Sequence, residues 1–175
     1  LIQGGDEKGA TLLLSTGPQN TDTYAMRMTL AARGNDKAAV RRLYDEIRKQ
    51  SDDVQSDNAF TLGQLAELLG KQEDALDWYA AVGDDDPRIF DASVRSAVIL
   101  HLQGKDDDAH EIVAELQTTY ADRPDDLRKA FAVDGELYMD ARRFDAAADA
   151  YDKALRVKPD DTDMLYGRGL AYAEA

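Results

Sequence analysis

Two runs of aspartate, at residues 84–86 and 106–108, are the most obvious candidates for metal chemistry in this sequence. A calcium loop of the EF-hand type needs oxygen ligands at alternating positions, an internal glycine and a distal glutamate, and neither run has this arrangement. Aspartate also favours turns and helix N-termini, because its side chain accepts hydrogen bonds from nearby backbone amides. The runs are therefore interpreted as solvated caps and turns, and no metal site is predicted.

The only two histidines, His101 and His110, are the other residues that could transfer protons or bind metal. Neither belongs to an HExxH zinc motif or lies beside a GxSxG nucleophile motif, and there is no glycine-rich phosphate loop. A packed or solvated histidine is the simpler interpretation, with contact to a partner as the alternative for His101. No catalytic residue and no cofactor are predicted, and we expect the chain not to be an enzyme.

Composition and net charge limit the classes of partner that this chain is expected to bind. The chain has 175 residues, of which 43% are hydrophobic, as in a compact domain or a short repeat array. Its net charge of −14 would repel a phosphate backbone, so nucleic acid is not an expected partner. No apolar run reaches the ~18 residues that cross a bilayer, so direct membrane insertion is not expected either. The absence of cysteine fits both a reducing cytosol and a periplasm.

The elements that position these residues are predicted to be helices in pairs. Prolines in polar clusters separate the apolar-periodic segments, and smaller breaks divide each segment into two helices. The prolines are Pro18, Pro87, Pro124 and Pro159, and the breaks are Gly34, Gly70, Gly104 and Arg142–Arg143. Aligned on the breaks, the units begin at Asn20, Ser56, Phe90, Arg128 and Thr162. The spacing of 34 to 38 residues indicates an internal repeat.

Side-chain types recur with the breaks. The unit from Arg128 shows the order best, along its first helix (A) and then its second (B): Phe131, Gly135, Tyr138, Phe144, Ala147, Tyr151, Ala154 and Pro159. This order resembles the tetratricopeptide repeat. The resemblance implies an all-α, right-handed α-solenoid of helix-turn-helix repeats. The residues expected to pack the repeats together are Gly63, Ala75, Tyr79, Ala109, Gly135, Tyr138, Ala147, Tyr151, Ala154 and Gly169.

The repeat register predicts one array over residues 1–175, as a fragment of a longer protein. Its parts are helix B of a partial repeat (1–17), four full repeats (20–55, 56–89, 90–127 and 128–161), and helix A of a partial repeat (162–175). Asp86 is expected to cap a helix that begins at Pro87, and Asp160 and Asp161 are expected to supply N-cap oxygens for the last helix. Repeats cut at both ends leave apolar faces without polar caps, so self-association through these ends is a further expectation.

In this repeat, the resemblance implies that the A helices line a concave groove. The predicted groove residues are Tyr24, Met28, Phe60, Gln64, Val94, Arg95, Val98, His101, Val133, Glu136, Tyr166 and Leu170. A helix face meant only for water would carry charges at most of these places, whereas this set is largely apolar. The alternative is that several of these residues pack against an adjacent helix. Because Arg95 is the only cation at the relevant positions, a clamp for a partner's C-terminal carboxylate is not expected.

Two functions follow from the resemblance. The first is a non-enzymatic scaffold or adaptor that binds a peptide or protein segment in the groove, and the alternative is a structural spacer whose groove is filled by neighbouring repeats. Residues 59–116 are also similar in style to the many-repeat lipoproteins of proteobacterial outer membranes, which include an adaptor of a carboxyl-terminal processing protease. This similarity implies the periplasmic face of a bacterial outer membrane, with the cytoplasm as the alternative location.

Overall fold

A computed structural model describes residues 7–175, with side chains described from residue 9 onward. These residues form helices and no strand, so the all-α prediction is confirmed. The helices are α1 (Glu7–Thr16), α2 (Thr21–Arg33), α3 (Lys37–Ile47), α4 (Asp52–Asp57), α5 (Ala59–Leu68), α6 (Gln72–Ala80), α7 (Ile89–Leu102), α8 (Asp106–Thr119), α9 (Pro124–Asp140), α10 (Phe144–Val157) and α11 (Thr162–Glu174). The first six residues of the predicted leading helix segment lie outside the described part.

The chain divides into two compact units, Leu1–Ile89 and Phe90–Ala175. The helices fall into A/B pairs of the α-solenoid class: α2/α3 and α5/α6 in unit 1, and α7/α8 and α9/α10 in unit 2. Helix α1 precedes the first pair and α11 follows the last one. The division between the units coincides with the predicted boundary between repeats 56–89 and 90–127, while a single continuous array stays a prediction.

The turn from each A helix to its B helix contains one residue with a left-handed backbone. These residues and their φ angles are Asn35 (48°), Gly70 (72°), Gly104 (75°) and Arg142 (57°). Glycine takes this conformation without the steric cost of a Cβ, and asparagine tolerates it. In the first pair the left-handed residue is therefore one place later than the predicted break, since Gly34 itself has φ −74°.

The helix ends show where aspartate acts as a cap. Of the two predicted caps, Asp160 and Asp161, it is the Asp161 side chain that accepts hydrogen bonds from the backbone amides of Asp163 and Met164 and so caps α11. The expectation for Asp86 was wrong, because α7 begins at Ile89 rather than at Pro87. The Asp86 carboxylate instead binds the backbone amide and the guanidinium of Arg88.

The core of unit 2 is built around alanine at helix crossings. Ala97, Ala109 and Val113 are fully buried and cluster with Leu137, which joins α7, α8 and α9. A second cluster contains Ala147, Ala154 and Tyr151 of α10, together with residues of α9 and α11. Alanine lets the helices approach closely, while the larger side chains fill the remaining space at the density typical of protein interiors.

Candidate protein-binding face

In each helix pair whose A helix contains a glycine, a tyrosine of the B helix packs its ring against that glycine. In unit 2, a Cβ built on Gly135 would lie 2.7 Å from the Tyr151 ring, and one built on Gly167 of α11 would lie 2.8 Å from it. In unit 1, a Cβ on Gly63 would lie 2.4 Å from the Tyr79 ring. Only glycine leaves room for such a contact without displacing the ring. Each of these tyrosines therefore belongs to a B helix but has its ring at an A helix.

The hydroxyl groups of Tyr79 and Tyr151 have different environments. The Tyr79 hydroxyl donates a short hydrogen bond to the carboxylate of Glu67 on α5. Burial raises the pKa of Tyr151 to about 12, and the negative charges of Glu136 and Asp140 contribute to the shift. The Tyr151 ring lies against Gly135, which directly precedes Glu136 on α9.

The A helices of unit 2 present equivalent positions on one side. Val98, Glu136 and Leu170 are each the ninth residue of their repeat in α7, α9 and α11, and all three are exposed. Four residues further along α7 and α9 lie Leu102 and Asp140, which are also exposed. We define the unit 2 A face as Val98, Leu102, Glu136, Asp140, Tyr166 and Leu170.

The exposed fractions show that this face is not a packed interior. They are 39% for Val98, 67% for Leu102, 69% for Tyr166 and 40% for Leu170. Sequence reasoning did not include Leu102 or Asp140, although both follow one helical turn after a residue that it did include. Val94 and Val133, by contrast, are half-buried against the core clusters of unit 2. Arg95 is also half-buried.

The predicted groove residues of unit 1 are placed differently. Tyr24 is 2% exposed and Phe60 is 8% exposed, so both aromatic rings are covered by their own chain. The guanidinium of Arg27 lies 5.8 Å from the Tyr24 ring centre, and that of Arg88 lies 5.3 Å from the Phe60 ring centre. The remaining two predicted residues, Met28 and Gln64, are half-buried.

Arg27 stands where the repeat pattern has a small residue, and its surroundings explain how it is accommodated. Its guanidinium binds both carboxylate oxygens of Glu46 on α3, at 2.8 and 2.6 Å. The guanidinium hydrogen bond is the main cause that lowers the pKa of Glu46. The pair thus connects α2 with α3 by a charged contact at the place where close packing is usual.

Both histidines are held by carboxylates. His101 Nδ1 lies 2.7 Å from Asp106 Oδ1, and its Nε2 lies 4.0 Å from Asp140 Oδ2. His110 Nδ1 lies 2.8 Å from Asp134 Oδ1, and its ring stacks on Tyr138 with 4.0 Å between the ring centres. The burial of Asp134 was not predicted, because an aspartate within an A helix gives no sign of a buried partner on the preceding helix.

The predicted packing residues occupy two kinds of environment. Fully or almost fully buried are Ala75, Tyr79, Ala109, Ala147, Tyr151 and Ala154. Gly169 differs, since it is exposed and a Cβ there would meet nothing within 4 Å. Leu165 and Tyr172, on the same side of α11, are 40% and 60% exposed. The Tyr172 hydroxyl donates a hydrogen bond of 3.5 Å to Asp152 of α10.

Metal-binding clusters and membrane-spanning helices are both absent from the described residues. Within residues 7–175, no group of three or more histidine, aspartate or glutamate side chains is arranged to hold a metal ion. None of the helices in that range is long and apolar enough to cross a membrane.

These observations define the chain as an all-α repeat protein of the α-solenoid class. Residues 134–175 match the tetratricopeptide repeat family, which agrees with the resemblance seen in the sequence. Such repeats generally mediate interactions between proteins and are generally non-enzymatic.

Solved structures agree with this fold. Over 99% of the chain, the structure is similar to BtubC (BKLC) from P. vanneervenii, with a TM-score of 0.68, 15% identity and 77% of that chain covered. It is also similar to a tetratricopeptide repeat protein from Parabacteroides merdae ATCC 43184, with a TM-score of 0.67, 15% identity and 68% of that chain covered. No curated protein matches the chain. The similarity to outer-membrane lipoproteins stays a prediction.

Proposed function

We propose that this chain is a non-enzymatic scaffold or adaptor that holds a segment of a partner protein on the unit 2 A face. The observation that carries the proposal is the exposure of Val98 and Leu102 on α7 and of Tyr166 and Leu170 on α11, with Val98 and Leu170 at equivalent positions of their repeats. Large apolar side chains that line one surface together, rather than singly, are typical of interaction sites.

The composition of the face suits a bound segment. Tyr166 offers a large, rigid ring with a polar end, which is the kind of side chain that contributes most binding energy per residue at protein interfaces. Val98, Leu102 and Leu170 provide apolar surface around it. The proposal is restricted to unit 2, because Tyr24 and Phe60 of unit 1 are covered by their own chain.

The burial of Tyr24 and Phe60 also favours the second candidate, a structural spacer. In unit 1, arginines of the same chain already lie over the rings that would otherwise anchor a partner. If the parent protein covered the unit 2 A face in a similar way, the face would serve packing rather than recognition. A periplasmic adaptor, expected from the sequence similarity, is the more specific form of the first candidate.

Peptide selection separates these functions. A displayed library of random peptides of about twelve residues would be selected on the full chain, and the affinity of each selected peptide measured for variants of α11. Tyr166→Ala and Leu170→Ala should each weaken binding about fivefold or more, as anchor residues do.

The chain offers matched controls for both substitutions. Tyr172→Ala and Leu165→Ala remove residues of the same types and of similar exposure from another side of the same helix. These variants should bind as the unsubstituted chain does. Failure to enrich any peptide, or equal losses in the controls, would contradict the scaffold proposal and favour the spacer.

A further inference from the structure

Several carboxylates of the described residues form ion pairs with an arginine. The pairs include Arg27–Glu46, Arg88–Asp86, Arg128–Asp161 and Arg168–Asp152. Glu136 and Asp140 are different. They lie one helical turn apart on α9, and in the described part of the chain neither is paired with a lysine or an arginine. The Nε2 atom of His101 lies 4.0 Å from Asp140 Oδ2.

The two carboxylates disfavour each other's charge. The pKa of Glu136 is raised, first by burial of its carboxyl group and second by the charge of Asp140. Like charges at positions i and i+4 of a helix destabilise it, because their side chains lie on the same face. A cation placed between these carboxylates would remove that repulsion and form charge-assisted hydrogen bonds.

The Tyr151 hydroxyl is a third polar group, and it interacts with the same two carboxylates. Tyr151 is 5% exposed, and its ring is fixed between Gly135 and Gly167. Its hydroxyl experiences the charges of Glu136 and Asp140, and among the described residues it has no hydrogen-bond partner. In unit 1 the hydroxyl of Tyr79 is already bound to Glu67. The Tyr151 hydroxyl is therefore an available acceptor and donor at the end of a rigid side chain.

We propose that Glu136, Asp140 and the Tyr151 hydroxyl form a receptor for one basic side chain of the segment that docks on the unit 2 A face. The inference rests on the proposed function and adds the chemistry of its partner, a segment with a lysine or an arginine among apolar residues. A lysine ammonium or an arginine guanidinium supplies the several donors that these oxygens accept. Val98 and Leu170, at the equivalent positions of α7 and α11, flank the receptor with apolar surface.

The charge of the chain is consistent with this partner. A net charge of −14 attracts a basic segment over a distance and disfavours an acidic one. Because the charges at the receptor are exposed to solvent ions, salt should weaken the interaction. A metal ion is the less suitable occupant, since no group of three or more metal-binding side chains converges in residues 7–175.

The test uses the same peptide library on the full chain. Selected peptides should carry a lysine or an arginine at a fixed distance from apolar residues. Replacing that lysine by norleucine, or that arginine by citrulline, should lower the affinity about tenfold while the stem of the side chain is largely kept. The double variant Glu136→Gln and Asp140→Asn should cause a similar loss.

Two further variants separate recognition from folding. Tyr151→Phe keeps the ring between the glycines and removes only the hydroxyl, so we expect weaker binding with nearly unchanged thermal stability. Glu115→Gln makes the matched change at an exposed glutamate on α8, away from the A helices, and should leave the affinity unchanged. Glu136→Lys should restore binding of a peptide whose basic residue has been replaced by glutamate.

The outcomes distinguish this inference from the proposed function. If the selected peptides lack a basic residue and depend on Tyr166 and Leu170 but not on Glu136 and Asp140, the inference is wrong and the scaffold proposal stands. If basic peptides are selected but bind the Glu115→Gln and Glu136→Gln variants equally well, the receptor is also contradicted. If no peptide is selected, both proposals fail.

Discussion

Gly135 of α9 and Tyr151 of α10 are in such close contact that a methyl group on the glycine would lie 2.7 Å from the ring. The Tyr151 ring is also bordered by Gly167 of α11, so both glycines restrict its position. This contact fixes the Tyr151 ring against α9 and α11, and the charges of Glu136 and Asp140 contribute to the raised pKa of its hydroxyl, after burial. Packing of the repeat and presentation of the candidate receptor therefore depend on the same side chain.

Gly135→Ala tests this contact directly. Overpacking costs about 1–3 kcal/mol, and the higher helix propensity of alanine offsets roughly 1 kcal/mol of it. We expect a net loss of up to about 2 kcal/mol, which corresponds to a melting temperature lower by up to roughly 8 °C in a chain of this size.

Gly169→Ala is the matched control, measured in the same thermal melts. A Cβ at Gly169 meets nothing within 4 Å, so only the gain in helix propensity remains. Its melting temperature should rise by about 1–4 °C. If both alanine variants were stabilised, the close contact at Gly135 would not be the reason for the glycine.

Tyr151 and Tyr166 should differ strongly when each is replaced by alanine. Tyr151 is 5% exposed and packed between helices, whereas Tyr166 is 69% exposed. Truncation of a buried aromatic residue costs about 3–5 kcal/mol, while a surface change is usually within about 0.5 kcal/mol. Chemical denaturation would measure both, and equal losses would contradict the assignment of Tyr151 to packing and Tyr166 to the exposed face.

Arg142 has φ 57°, which is a strained conformation for a residue with a Cβ. Arg142→Gly should raise the free energy of unfolding by about 0.5–1 kcal/mol, because the relief of strain exceeds the greater entropy of an unfolded glycine. Gly104→Ala provides the reverse change at the equivalent turn, where φ is 75° and no atom would contact the Cβ. It should lower stability by a similar amount, and a gain there would contradict the strain argument.

The repulsion between Glu136 and Asp140 has a consequence for pH. The pKa of Glu136 is raised above its ordinary value of 4.5, so its ionised form destabilises the folded chain. Glu136→Gln should therefore raise the melting temperature at about pH 7.5.

This gain should shrink as the pH falls through the raised pKa towards 4.5, because Glu136 then becomes protonated in the folded chain too. Glu115→Gln, for comparison, should give no such pH-dependent difference. Melts at several pH values would decide the point, and a gain independent of pH would show that charge is not its cause.

The fold could be predicted from the sequence because each signal is local. The proline and glycine breaks, the period and the order of residue types in Phe131–Pro159 fix helix pairs without knowledge of distant contacts. The left-handed turns at Gly70 and Gly104 follow from the same local chemistry. Even the exception at Arg142 lies at a break that the alignment had identified.

The site was less predictable, since exposure depends on side chains from elsewhere in the unit. Repeat register alone placed Tyr24 and Phe60 in a groove, but Arg27 and Arg88 lie over their rings. The neighbourhood of the Tyr151 hydroxyl depends on two glycines, one of them in the following repeat. Such contacts across repeats have no fixed spacing in the sequence, so their composition could not be deduced from one unit.

The most direct test of the central claim, that the unit 2 A face binds a protein segment, is methyl-detected NMR of the full chain with a saturating selected peptide. We predict the largest shift changes at the methyl groups of Val98, Leu102 and Leu170. The methyl groups of Ile112 and Val157, on the B helices of the same unit, should change little. Changes centred on Ile112 and Val157, with the A-helix methyl groups unaffected, would contradict the account.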